Sequence, residues 1–251
     1  RGVGAMSLSL DGSDAARHDG LRGVAGCFER TMAAARDVAD AGIPLQVNTL
    51  VTATTIDDMP AIRPLVEEMQ AKRWSLFFLV TTGRGSLLPQ ITAPRAEALL
   101  EWLYDVGQTS SFVVSTTEAP LYRRVVLARR GAPPDAPVQG AGMRDGNGIL
   151  FISYRGDVSP SGFLPLVAGN VRETDVLTVY RDAPLFRQLR EPEHFHGRCG
   201  VCEYRNVCGG SRGRAYAASR DPLGEDPLCV HVPAAMSSRR PTEARDGTSN
   251  P

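Results

Sequence analysis

Four cysteines near the C-terminal end constrain this chain more than any other feature. They fall as Cys199-x2-Cys202-x5-Cys208-x20-Cys229. Two residues between Cys199 and Cys202 let one tight turn aim both sulfurs at a single centre. Cys208 and Cys229 then close it from either end of a helix predicted over 210–219. Four thiolates with no neighbouring histidine ligand suit tetrahedral Zn2+ or a cubane [4Fe–4S] centre, and either would contribute to folding. Zinc ribbons usually pair two CxxC knuckles, and only Cys199/Cys202 has that spacing. Four buried thiols without metal is the third alternative. A disulfide framework fits poorly, because the 251-residue chain has a core-forming composition, 42% apolar and 22% charged, and a fifth cysteine, Cys27. Clustered thiols in a reducing compartment point instead to metal, and with no signal peptide or membrane span in the sequence the cytoplasm is the expected location. His194 and His196 read as exposed turn residues rather than ligands.

Upstream, strand and helix patterns alternate. Met6-Ser7-Leu8-Ser9-Leu10 reads as a strand stopped by Asp11-Gly12. A helix is predicted from Phe28 to Ala41, with Phe28, Met32, Ala35, Val38 and Ala39 on one face and Gly42 at its end. Leu45 to Val51 is a second strand, residues 57–72 a second helix, and Ser75 to Val80 a third strand followed by the Thr81–Gly85 loop. A third helix starts near Thr92 as N-cap, and Phe112 to Val114 is a fourth strand. Successive βα units predict an α/β fold with parallel pairing and right-handed crossovers. Active groups then belong at the C-terminal ends of the strands, where Asp11, Asn48 and the Gly83–Gly85 loop fall. Three or four units cannot close a barrel of eight, and the chain begins with Arg1 just before its first strand. The expectation is a piece of a longer protein whose first units are missing.

The composition changes after Gly131. The Pro-rich and Gly-rich residues 131–148 read as a linker between a domain over 1–130 and a small cysteine-rich domain over 149–233. A hairpin around Arg155-Gly156-Asp157 and a short helix over 182–190 are predicted within it, and residues 234–251 read as a disordered tail. Lys+Arg and Asp+Glu balance at 28 each, so a nucleic-acid partner is not expected. No apolar run approaches a membrane span, and none resembles a signal peptide.

The run Cys199-Gly-Val-Cys202-Glu-Tyr-Arg-Asn-Val-Cys208-Gly-Gly-Ser-Arg-Gly-Arg-Ala-Tyr216, followed by Gly224-Glu-Asp-Pro-Leu-Cys229, resembles the C-terminal cluster segment of radical SAM proteins with SPASM-type extensions. Ser7-Leu-Ser-Leu-Asp11-Gly, His18-Asp19 and Arg22-Gly23 independently resemble the fourth strand and following loop of that family's barrel. Leu79-Val-Thr-Thr-Gly-Arg-Gly85 resembles the sixth. Gly162-Phe-Leu-Pro-Leu and Gly169-Asn-Val-Arg172 resemble the haem-modifying and cofactor-maturation branch.

The resemblance implies the C-terminal part of a partial (β/α) barrel followed by an iron–sulfur domain, and it favours a cluster over zinc. It also implies an oxidoreductase-type radical enzyme that reductively cleaves S-adenosylmethionine and modifies a cofactor, porphyrin or peptide. The family's C-x3-C-x2-C motif, which holds the SAM-cleaving [4Fe–4S] cluster, is absent, as is the glycine-rich SAM-binding turn. The chain alone is therefore expected to be inactive. Ser159-Pro-Ser161 and Arg212 stand where further cluster ligands would be, so one auxiliary [4Fe–4S] cluster is expected, on Cys199, Cys202, Cys208 and Cys229.

Ser9, Arg22 and the Leu79-Val80 backbone match positions that contact S-adenosylmethionine in relatives. Asn48, on the same strand face as Gln46, is placed with them in the barrel interior. Their ordinary roles, a strand-end hydroxyl, a loop salt bridge and core packing, stay open alongside. Cys27 reads as structural. The implied partners are a small-molecule or peptide substrate and an electron donor such as ferredoxin or flavodoxin. A non-catalytic iron–sulfur module and a structural zinc domain are the competing readings.

Overall fold

The computed structural model describes residues 2–237. Its first half is a parallel sheet in the order β1 (Met6–Ser9), β2 (Leu45–Val51), β3 (Arg73–Phe78), β4 (Val113–Thr117). Helices α1 (Ala15–Arg22) and α2 (Cys27–Asp40) join the first pair of strands. Helix α3 (Met59–Glu68) joins the second pair, α4 (Ala93–Thr109) the third, and α5 (Leu121–Arg129) follows β4. Every neighbouring pair is parallel and the order never reverses. Right-handed crossovers that always step the same way put all the helices on one face, which makes the sheet an open barrel wall rather than a doubly wound sheet.

The two faces of that wall are set by period-two alternation. In β2, Leu45, Val47, Thr49 and Val51 are buried while Gln46, Asn48 and Leu50 are half-buried. The first set meets the helices, in a core that includes Trp74, Leu76, Ile62, Val66, Leu100 and Leu103. Each fully buried side chain of this size contributes about 1.5–3 kcal/mol. Trp74 also makes edge-on contacts with Trp102 and Phe112 at 6.1 and 5.9 Å and donates its Nε1–H to Thr49 Oγ1 at 2.8 Å. On the opposite face the register aligns Ser9, Asn48, Ser75 and Ser115 in one row across all four strands. A polar row of this kind is what a barrel lumen facing a polar ligand requires.

Several boundaries move from their predicted places. The helix predicted to Lys72 stops at Glu68, because Gln70 turns left-handed at φ 53° and Lys72 N–H donates to Leu45 O, joining the sheet. The third strand accordingly runs from Arg73 to Phe78 rather than from Ser75 to Val80. The fourth runs to Thr117 instead of ending at Val114. In the sheet region two helices were not predicted, α1 and α5. α1 carries no apolar stripe, and its start is set by Asp14, whose carboxylate accepts from Arg17 N–H.

Beyond α5 the elements are short: β5 (Arg144–Asp145), β6 (Gly148–Ile149), β7 (Phe151–Ile152), β8 (Asp157–Ser159) and β9 (Gly169–Asn170). The helices that follow are α6 (Val176–Asp182), α7 (Pro184–Arg190), α8 (Gly197–Val201), α9 (Arg212–Ser219) and α10 (Ala234–Ser237). The predicted hairpin is β7–β8, with β9 added antiparallel. The helix predicted over 182–190 is α7, which starts at Pro184; α6, which was not predicted, precedes it and is separated from it where Ala183 turns extended. Within residues 131–148, Arg144 and Asp145 are buried. Residues 234–237 of the tail predicted as disordered form α10, and residues 238–251 lie outside the described residues. Among the described residues, no helix is long and apolar enough to cross a membrane.

Candidate functional site

The C-terminal half attaches to the sheet at its functional end. Leu79 directly follows β3 and Glu118 directly follows β4. Arg214 of α9 reaches both, donating to Leu79 O at 3.5 Å and to Glu118 O at 2.6 Å. At this junction Cys199, Cys202, Cys208 and Cys229 line one cavity together with Leu121 and Arg124 of α5. The loop enters α9 through Gly209-Gly210, both left-handed at φ 68° and 66°. A Cβ on Gly210 would stand 3.3 Å from Cys199 Sγ and 2.8 Å from Asp226 Cβ, so only glycine fits. Ser211 caps α9 by accepting from Arg214 N–H at 3.0 Å, which fixes the helix start at Arg212, four residues after Cys208.

The donor set fits a multi-iron cluster better than a single zinc ion. Among the described residues no three of the four cysteine sulfurs lie mutually within 4.8 Å. A tetrahedral zinc with bonds of about 2.3 Å would hold them about 3.8 Å apart. The cavity wall supplies cations and donors, as an anionic thiolate cluster needs. Arg212 Nη2 lies 3.6 Å from Cys199 Sγ, Gly210 N–H donates to Cys208 Sγ at 3.5 Å, and Arg124, Arg198 and Arg205 also line it. Burial pushes the Cys202 thiol up to about 11 and the Cys208 thiol to about 12, so loading a metal here must displace protons. His194 and His196 are exposed and do not line the cavity, as their sequence context suggested. His231, which no sequence pattern singled out, does, and its Nε2, Glu203 Oε1 and Cys202 Sγ are mutually within 4.8 Å. Cys27 stands apart at the first position of α2.

Two of the residues matched to S-adenosylmethionine contacts come together with Asn48, which strand alternation placed beside them. Ser9, Arg22 and Asn48 line one open cavity of about 300 Å3, shared with Asp11, Leu50 and Phe77. Asp11 organises it. Its buried carboxylate takes Leu50 N–H at 2.7 Å on one oxygen and the Arg22 guanidinium at 2.5 Å on the other. Asp11 N–H donates to Nδ1 of the fully buried His18, which burial holds below the ordinary histidine value. Gln46 Nε2 donates to Asn48 Oδ1 at 2.8 Å and fixes the asparagine rotamer. Leu79 and Val80 are buried beyond the end of β3 and do not line this cavity. A Cβ at Gly85 would meet Val80 O at 2.6 Å, so the turn after β3 needs its glycine.

Sequence reasoning missed the charges between the two regions. Arg214 and Asp226 form a fully buried bidentate pair at 2.8 and 2.9 Å, and Asp226 also accepts from Ser211 N–H and Leu228 N–H. Asp145 accepts from Gly213 N–H at 2.8 Å, and Glu118 accepts from Ser211 Oγ–H at 2.5 Å. Arg214 and Asp226 sit inside the very segments that carry the cysteines, and that adjacency was the available signal.

No protein-family model matches the chain. It is 38% identical over 240 residues to the AdoMet-dependent heme synthase of Methanosarcina barkeri, covering 92% of this chain and 69% of that protein. It is 41% identical over 249 residues to the AdoMet-dependent heme synthase of Nitratidesulfovibrio vulgaris, covering 95% of this chain and 68% of that one. The crystal structure of Streptococcus suis SuiB bound to S-adenosylmethionine superposes with a TM-score of 0.65 at 18% identity, over 90% of this chain and 53% of SuiB.

Proposed function

The chain belongs to the radical SAM proteins with a SPASM-type C-terminal extension, and from that premise we propose that it is the substrate-side part of an enzyme that cleaves S-adenosylmethionine to modify a porphyrin on the way to heme. The single observation that carries this reading is the convergence of four thiols on one cavity at the C-terminal end of a parallel sheet. The names of the relatives supply the substrate class. We infer a cytoplasmic location and a ferredoxin- or flavodoxin-type electron donor as partner, a reading supported by the clustered free thiols.

In this reading Cys199, Cys202, Cys208 and Cys229 hold one auxiliary [4Fe–4S] cluster. When bound, that cluster supplies one-electron chemistry, and four protein thiolates leave it no free position for substrate. The chain's own residues position and insulate. Arg212 and Gly210 N–H stabilise thiolate charge at Cys199 and Cys208. Asp11 holds the Arg22 guanidinium over the cavity where Ser9 and Asn48 offer hydrogen bonds to the nucleoside of S-adenosylmethionine. The polar row Ser9, Asn48, Ser75 and Ser115 keeps the lumen hydrogen-bonded, while the apolar core behind it excludes water. This sequence carries no C-x3-C-x2-C motif for the cleaving cluster.

The test is anaerobic reconstitution of the upstream-extended protein with iron and sulfide, followed by reductant, S-adenosylmethionine and an iron porphyrin precursor. Formation of 5′-deoxyadenosine together with the optical spectrum of heme is the expected result, and Asn48→Ala and Arg22→Ala should raise KM for S-adenosylmethionine. No deoxyadenosine above a cluster-free control overturns it. Colourless protein containing zinc and no iron would favour the structural zinc reading instead.

A further inference from the structure

Three carboxyl groups meet where the sheet joins the cysteine segment: Glu118 after β4, Asp145 of β5 and Asp226 before Cys229. Of the guanidinium groups around them, Arg214 alone is hydrogen-bonded to any of the three carboxylates, and it is committed to Asp226 through both oxygens. What faces Glu118 from the packed elements is Asp145, Ser211 and Arg214, the last giving it only a bond to its backbone oxygen. Asp145 has one oxygen on Gly213 N–H, while its Oδ1 is buried with no partner. Glu118 itself is held at φ 57°, a left-handed conformation that glutamate rarely adopts, which keeps its carboxyl within hydrogen-bonding reach of Asp145. Two carboxylates facing each other with one unpaired buried oxygen are satisfied together only if a single proton bridges them.

This pair is electrostatically connected to the thiol cavity. Asp226 lines that cavity, its charge is felt at Cys208 and Cys229, and Arg214 links it to Glu118. We propose that the Glu118–Asp145 pair is the proton acceptor of the four-cysteine centre, taking up one proton when that centre takes up one electron. The inference rests on the iron–sulfur reading above. The balance is simple: one electron arrives from a one-electron donor and reduces the cluster, and one proton arrives from water and forms an O–H bond on Glu118 that is shared with Asp145. Burial and the facing Asp145 lift the Glu118 carboxyl to about 8, so the exchange belongs at and above neutral pH.

The experiment is a potentiometric titration of the reconstituted chain from pH 6 to pH 10, with dithionite as the donor and the reduced cluster read by electron paramagnetic resonance. Iron and sulfide are counted first. A chain that holds no cluster overturns the iron–sulfur reading, and this proposal with it, before any potential is measured. With the cluster present, the midpoint potential is expected to fall by about 59 mV per pH unit across a window above neutrality and to be level on either side. Glu118→Gln, with the same iron content, should be level throughout. Asp145→Asn should keep the slope but move its window to lower pH, because the like charge is gone. A level profile in the unsubstituted chain, or an unchanged slope in Glu118→Gln, overturns the proposal. A carboxylic acid carbonyl band in the oxidised-minus-reduced infrared difference, lost in Glu118→Gln, is the independent readout.

Discussion

In the sheet region the large side chains with no exposure are Trp74, Leu76, Met59, Ile62, Leu100 and Leu103. In the region carrying the cysteines they include Arg212 as well as Leu164, Phe186 and Leu189, and Arg214 is only 1% exposed. The apolar cluster proper to that second region centres on three residues, Val158, Val179 and Phe186, while Val207, Cys208 and Leu228 lean on the main core. One region is therefore held by apolar area and the other by buried ions and helix caps. A segment with so little core is stable when a ligand or metal organises it, and unstable to losing any one of its charges.

The sharpest way to break that comparison is Cys208→Ser in the reconstituted chain. Iron content and visible absorbance should fall to near zero, and limited proteolysis should cut within residues 140–233. The Trp74 environment, read by fluorescence, should persist. Collapse of the tryptophan signal together with the cluster would mean that the two regions fold as one unit.

Next in size are two substitutions that remove comparable amounts of stability for opposite reasons. Asp226→Ala strands the buried Arg214 guanidinium and is expected to cost about 3–5 kcal/mol in urea unfolding. Replacing both partners together, Arg214→Met with Asp226→Leu, should recover most of that loss. Leu100→Ala in the sheet region should cost about 2–5 kcal/mol through the cavity it leaves, and no second substitution on a charged residue should rescue it.

How legible each region was follows from the same contrast. β2 was read correctly to the residue because Leu45, Val47, Thr49 and Val51 face the core in strict alternation. Asn48 was placed on the lumen side by the same period. The four cysteines were legible as a group because they cluster at short spacing, and they line one cavity. Arg214, Asp226, Glu118 and Asp145 were not. A buried ion pair has no periodicity: Arg214 and Asp226 lie 12 residues apart within the cysteine segment, and the Arg214 bond to the Glu118 backbone oxygen spans 96 across the two regions. The helix boundary at Glu68 was missed because Gln70 takes a conformation its residue type does not advertise.

A pH series sharpens the comparison further. Burial first and Asp145 second raise the Glu118 carboxyl from its ordinary 4.5 to about 8. Between those pH values the folded chain holds a proton that the unfolded chain has released. The stability contributed is therefore full below about 4.5 and is lost as pH rises through about 8. Glu118→Gln keeps the neutral form at every pH, so the urea midpoint of the cysteine region should lose this slope. The sheet region's response should not change.

The smallest expected effect tests whether burial, rather than charge, is what separates the two regions. Arg63 and Glu67 on α3 form an i,i+4 pair at 3.3 Å with side chains 31% and 43% exposed, in the less favourable basic-first order. Water screens both charges, and ordering two long side chains offsets much of the attraction. Arg63→Ala should therefore change stability by no more than about 0.5 kcal/mol, and added salt should erase even that. Urea unfolding at low and high salt measures it. An effect approaching that of Asp226→Ala would mean that ion pairs matter throughout this chain regardless of depth, and the contrast between an apolar half and an ionic half would fail.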